Sequence, residues 1–221
     1  MPISAAVFDL DGLMFNTEDV FDIAGNELLE RRALKMTDEI RNSMLGRRAP
    51  EAFRNLLDMT GLDESIDALI EESQEIFMGL LDDHLQPMPG LFDLLAHIKS
   101  LPLPTAVATS SHRAYVEDLL GRYDLRSQFD TTCTQEDVER GKPEPDIYLL
   151  AAERLGVPPT EMIVFEDSEA GTKAASSAGA ITISVPHRHT ASHDFSTATH
   201  IAESLADPLI YDLLAEHRLS P

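Results

Sequence analysis

At 221 residues and 43% hydrophobic side chains, the chain has the length and apolar content for one packed domain, or a domain with a smaller insert. Its 17 basic and 39 acidic side chains leave a formal charge of −22, which argues against nucleic acid or an anionic membrane surface as partner, because both need a basic footprint. An acidic protein that binds an anionic substrate must supply positive charge locally, through a divalent metal and a few placed Lys or Arg side chains.

Taken in chain order, Ala5 to Asp9, Thr105 to Thr109, Met162 to Glu166 and Ile181 to Val185 are short apolar or β-branched runs, the first three of which end on a polar residue. Their length, and the helical patterns between them, predict buried parallel strands in alternating β/α order. Helices are expected over about 90–100, 112–122, 145–155, 168–178 and 202–216. Pro89-Gly90, Pro145 and Gly179 punctuate three of them. From about Phe15 to Leu85 the alternation stops. Apolar residues recur there at helical spacing, as in Ile66, Leu69, Ile70, Ile76, Phe77, Leu80 and Leu81. The expected organisation is a doubly wound, mostly parallel α/β core over 1–14 and 87–221, with a helical cap inserted over 15–86.

Four stretches carry chemistry. In Val7-Phe8-Asp9-Leu10-Asp11-Gly12 an apolar strand delivers two carboxylates one residue apart, which an extended backbone projects to the same side. Their repulsion is relieved by a divalent cation or an uneven proton distribution. Taken alone, the hexapeptide reads first as a loop with two solvated aspartates. Thr109-Ser110-Ser111 ends a strand before a helix and reads either as an anion site or as an ordinary N-cap. In Gly141-Lys142-Pro143-Glu144-Pro145, Pro143 biases Lys142 toward an extended conformation, giving either a braced phosphate-binding lysine or an exposed turn residue. Glu166-Asp167-Ser168 is a second acidic pair at a strand end, and Gly171, Ala174, Ala175 and Ala178 let the following helix approach the sheet closely. Together these are the parts of metal-assisted phosphoryl transfer.

In order and spacing these stretches resemble the four motifs of the haloacid dehalogenase superfamily, in the branch with a helical cap after the first motif, which includes β-phosphoglucomutase and phosphoglycolate phosphatase. The resemblance covers nearly the whole chain. It implies that Asp9 is the nucleophile, forming an aspartyl-phosphate, and that Asp11 is the general acid and base. Thr109 and the Ser110 amide would hold phosphoryl oxygens, with Lys142 neutralising their charge. Mg²⁺ would be held by Asp9, the Asp11 backbone carbonyl, Glu166 and Asp167. The cap would close over the core to exclude water and open to release product. Gly46-Arg47-Arg48 resembles the substrate-facing cap loop, so Arg47 and Arg48 either read the substrate or are surface arginines.

The chain departs from the mutase pattern, with Val20 and Phe21 where a histidine is expected and no lysine near Glu75 to Met78. The expectation is a phosphatase acting on a small phosphomonoester, a sugar phosphate or similar metabolite. A phosphomutase is the alternative, and a non-catalytic phosphate-binding protein a further one. The cluster His187, His189, His193 and His200 lacks paired acids or cysteines and reads as a polar loop near the site rim. Cys133, the single cysteine, reads as a small apolar residue in or near a strand. The N-terminus has no signal-peptide pattern, and no apolar run nears the roughly 20 residues that cross a bilayer. A cytoplasmic monomer or homodimer is expected.

Overall fold

The computed structural model describes residues 2–44, 49–101 and 103–217. They divide into two compact units, one of the described residues within 2–15 and 87–217, the other of those within 16–86. The first unit holds six parallel strands, β1 (Ala5–Phe8), β2 (Thr105–Ala108), β3 (Thr131–Cys133), β4 (Met162–Glu166), β5 (Ile181–Ser184) and β6 (His200–Ile201), in the order β3-β2-β1-β4-β5-β6. The second contains the helices α1 (Thr17–Glu30), α2 (Asp38–Met44), α3 (Ala49–Thr60) and α4 (Ile66–His84). Helices α5 (Leu91–Lys99), α6 (Arg113–Arg122), α7 (Asp146–Leu155), α8 (Glu169–Ala178) and α9 (Pro208–His217) belong to the α/β unit. Among the described residues no helix is long and apolar enough to cross a membrane.

The central strands are apolar on both sides because both faces are covered. Ala5 and Val7 of β1, Met162 and Val164 of β4, and Ala106 and Ala108 of β2 pack with Tyr148, Ala151 and Ala152 of α7 and Ala174 and Ala175 of α8. The strand period of two turns Ala6, Phe8, Ile163 and Phe165 to the opposite face, where the rings of Phe8 and Phe165 stack at 4.8 Å. Register aligns Phe8 with Phe165 and with Val107, so the C-terminal ends of β1, β2 and β4 lie level. Strand order reverses between β1 and β4, and the crevice at that reversal is where open α/β sheets bind their ligands.

Three elements differ from the sequence expectations. β3 and β6, of three and two residues, have too few residues for a periodic signal. The helix expected over 202–216 begins instead at Pro208. Asp207 ends the preceding turn: its carboxylate accepts the backbone N–H groups of Glu203 at 3.0 Å and Leu209 at 2.9 Å. It therefore caps a helix whose first residue, Pro208, has no N–H to offer.

Candidate active site

The alternation that builds the core also sets the site. Asp9 continues the face of Ala5 and Val7, and Glu166 continues that of Met162 and Val164, so both carboxylates project where α7 and α8 cover the sheet. Gly171, in the first turn of α8, makes room for one of them. A Cβ there would stand 1.8 Å from Glu166 Oε1. Gly12 does the same at the end of β1. Its φ of +77° turns the chain away, and a Cβ would come within 2.5 Å of Asp167 Oδ2 and 2.8 Å of His187 Nε2.

Asp9, Glu166 and Asp167 are buried, each with a carboxylate oxygen within 4.8 Å of the others'. Lys142 reaches into this group from the loop before α7. Its Nζ donates to Asp9 Oδ1 at 2.5 Å, Glu166 Oε1 at 2.6 Å and the Ala108 carbonyl at 3.0 Å. Burial, followed by Glu166, Asp167 and Asp11, pushes the Asp9 carboxyl well above the usual range, against the opposing pull of Lys142. Burial alone would lower the Lys142 ammonium, but Asp9 and Glu166, with Tyr148, outweigh it and hold it well above its ordinary value. Were all three buried carboxylates ionised against the one ammonium, two negative charges would be uncompensated, and one divalent cation would cancel them. The all-oxygen donor set suits a hard ion.

Glu166 is the most heavily bonded of the three. Oε1 also accepts the Tyr148 hydroxyl at 2.5 Å, and Oε2 accepts Ser168 Oγ at 3.1 Å and the Asp167 N–H at 3.2 Å. Ser168 in turn caps α8, accepting the Gly171 N–H at 3.1 Å. Asp167 Oδ2 meets His187 Nε2 at 2.9 Å.

Asp11 is held from α6 and from the loop between β2 and α6. Its Oδ2 accepts Ser111 Oγ at 2.6 Å, with Thr109 Oγ1 further off at 3.4 Å, and its Oδ1 accepts the Tyr115 hydroxyl at 2.9 Å. Thr109 is buried, while Ser110 is exposed. Asp9, Asp11, Thr109, Lys142, Glu166 and Asp167 therefore come together, with Ser110 at the edge; Arg47 and Arg48 lie outside the described residues. Tyr115 and Tyr148 are absent from the sequence expectations, while Ser111 belongs to the expected hydroxyl-bearing strand end and His187 to the expected polar loop near the rim, neither with a carboxylate partner assigned. The sequence signal for Tyr148 is its position three and four residues before Ala151 and Ala152 on the apolar face of α7, where a buried phenol needs a partner for its hydroxyl.

Residues 6–185 match the family model described as haloacid dehalogenase-like hydrolase. The chain is 33% identical over 181 residues to a phosphorylated carbohydrates phosphatase of Thermotoga maritima, covering 80% of this chain and 82% of that one. It is also 33% identical to the fructose-1-phosphate phosphatase YqaB of Escherichia coli, over 78% of this chain and 91% of the relative. Among solved structures, CbbY from Rhodobacter sphaeroides in complex with phosphate superposes with a TM-score of 0.77 at 29% identity, covering 92% of this chain and 95% of the other. A match across 180 consecutive residues, with the sheet order and strand-end carboxylates just described, places this chain in the haloacid dehalogenase-like hydrolase family.

Proposed function

We propose that the protein is a Mg²⁺-dependent phosphatase that hydrolyses a small phosphomonoester, a sugar phosphate or a metabolite like it, through an aspartyl-phosphate on Asp9. The observation that carries this reading is the buried set of Asp9, Glu166 and Asp167 bridged by one lysine at the reversal of strand order. The relatives named for phosphatase activity on phosphorylated sugars support the substrate class.

In this reading Asp9 attacks phosphorus and the bond from phosphorus to the ester oxygen breaks. Asp11, entering protonated, gives its proton to the departing alcohol. The resulting Asp11 carboxylate then takes a proton from a water molecule, which attacks the aspartyl-phosphate, releases inorganic phosphate and restores Asp9. Ser111 and Tyr115 keep Asp11 oriented for both transfers. Thr109, the Ser110 amide and Lys142 bind the transferring oxygens, and Lys142 draws Asp9 toward its ionised form against the effect of burial. Asp9, Asp167 and the Asp11 carbonyl would hold the metal directly. Glu166, expected from the sequence to hold the metal too, has oxygens already accepting from Lys142, Tyr148 and Ser168, so its part in this reading is to add negative charge beside the metal and to fix the lysine. The bound cation would offset the negative charge of the reacting phosphoryl group. Arg47 and Arg48 are proposed to read the rest of the substrate, in a cytoplasmic enzyme.

A turnover assay with p-nitrophenyl phosphate and Mg²⁺, followed by phosphate-release screening over phosphorylated metabolites, tests the reading. No phosphate release from any of them would overturn it. For the preferred sugar phosphate, a ³¹P NMR time course should show inorganic phosphate accumulating with free sugar. Conversion into an isomeric phosphate without free phosphate would establish the mutase alternative instead.

A further inference from the structure

The histidine-bearing loop after β5, which the sequence offers only as a polar rim, makes a specific contact with the site. The structure assigns to His187 the task of orienting Asp167, so that His187 is a positioning residue for metal binding and not itself a ligand. The inference rests on the reading of Asp167 as a metal-holding carboxylate.

Three observations fix the ring. The His189 backbone N–H donates to His187 Nδ1 at 3.3 Å, so Nδ1 carries no proton and the ring proton sits on Nε2. Nε2 stands 2.9 Å from Asp167 Oδ2 and donates that proton to it. The loop is closed on itself: the His187 N–H donates to Thr190 Oγ1 and the Thr190 N–H returns to the His187 carbonyl, both at 3.0 Å. A ring held this way has one nitrogen occupied by a backbone donor and the other presenting hydrogen, so neither offers a lone pair to a cation. Its donated bond engages one oxygen of Asp167 and orients the carboxylate. Gly12 completes the arrangement, because any Cβ there would strike both partners. Hydrogen-bond partners of metal-holding groups usually contribute 10- to 100-fold in metal affinity.

The test is calorimetric titration of the chelator-stripped, full-length protein with Mg²⁺ and with Mn²⁺, a readout that needs no turnover. His187→Ala is expected to raise Kd for both ions by about 10- to 100-fold and by similar factors. His187→Gln, whose amide nitrogen reaches about as far as Nε2, should recover most of the affinity. His187→Asn, whose shorter amide ends near the Nδ1 position, should behave like the alanine variant. Circular dichroism of each variant separates misfolding from lost affinity, and the Gln variant supplies the folded comparison if the alanine one fails. Unchanged affinity in His187→Ala, no recovery in His187→Gln, or a much larger loss for Mn²⁺ than for Mg²⁺ would each overturn the inference; the last would make the imidazole a ligand. Asp167→Ala separates the two levels. If it abolishes binding while His187→Ala does not alter it, only the role of His187 falls; if it too leaves binding intact, the metal reading of the acidic cluster falls.

Discussion

At the strand ends of the α/β unit the charged groups are buried: the side chains of Lys142, Asp9 and Glu166 are 6%, 9% and 0% exposed. In the helical unit Arg31 and Arg32 meet Glu27, Glu64 and Glu72 at comparable distances, 2.6 to 3.1 Å, but nearer solvent, with side chains 14% to 48% exposed. Equal distances therefore stand for different energetics. A surface pair remains solvated and screened, and contributes little. A buried set must overcome the desolvation of every ion, and apolar side chains of the same volume would often serve stability as well or better. Carboxylates kept in the core at that cost are best explained by the chemistry they perform.

The comparison breaks most visibly at Asp9, the proposed nucleophile. Asp9→Asn keeps the shape of the side chain but removes the proposed attacking anion and one of the clustered carboxylates. Turnover should fall by at least about a thousandfold, while thermal stability holds or rises because repulsion among the carboxylates is relieved. Near-normal turnover by this variant would end the proposed mechanism. Chelation acts on the same charge excess from outside. EDTA should abolish activity and Mg²⁺ should restore it; full activity after exhaustive chelation would contradict the reading of Asp9, Glu166 and Asp167.

Lys142→Met sharpens the stability side. It leaves Asp9 and Glu166 buried without their shared cation, and truncating one partner of such a set costs about 3–5 kcal/mol. Urea unfolding of the metal-free protein should show that loss alongside lost turnover. A change no larger than that of a surface pair would mean that water or protonation compensates the carboxylates. Tyr115→Phe removes one oxygen from the grip on Asp11. Turnover is expected to fall roughly three- to tenfold with KM for a small ester unchanged, and an unaltered kcat would assign the hydroxyl no part in placing Asp11.

These contrasts also mark what a reader of the sequence can see. β1, β2, β4 and β5 are legible because buried strands are short runs of apolar and β-branched residues. Asp9, Glu166 and Asp167 are legible because they terminate those runs at a predictable sheet edge. β3, with its Thr131-Thr132-Cys133, and the edge strand β6 carry no such pattern. Ser111, Tyr115, Tyr148 and His187 act through contacts between elements 18 to 104 residues apart, and local periodicity says nothing about which hydroxyl or imidazole meets which carboxylate. Cys133, expected in or near a strand, closes β3 in a buried position.

The smallest expected effect lies on the surface side of the comparison. Arg32 donates to Glu64 at 2.7 Å and to Glu72 at 2.6 Å, and also to the Leu28 carbonyl at 2.8 Å. The hydrogen bond from Arg32 is the main cause of the lowered Glu72 carboxyl, with burial opposing it and Arg31 adding to it. A carboxyl held below its unfolded value contributes stability that is fully present above the ordinary glutamate value of 4.5 and is lost as pH falls through the depressed folded value. Arg32→Ala should therefore lower Tm by no more than about 4 °C near pH 7. The gap to the parent protein should narrow below pH 4.5 and also in high salt, with turnover on a small ester unchanged. Scanning calorimetry of both proteins from pH 7 to pH 4 reads it directly. A gap that stays constant across that range and is indifferent to salt would mean that Arg32 stabilises the helical unit through the packing of its aliphatic stem, and that its charge there counts for nothing.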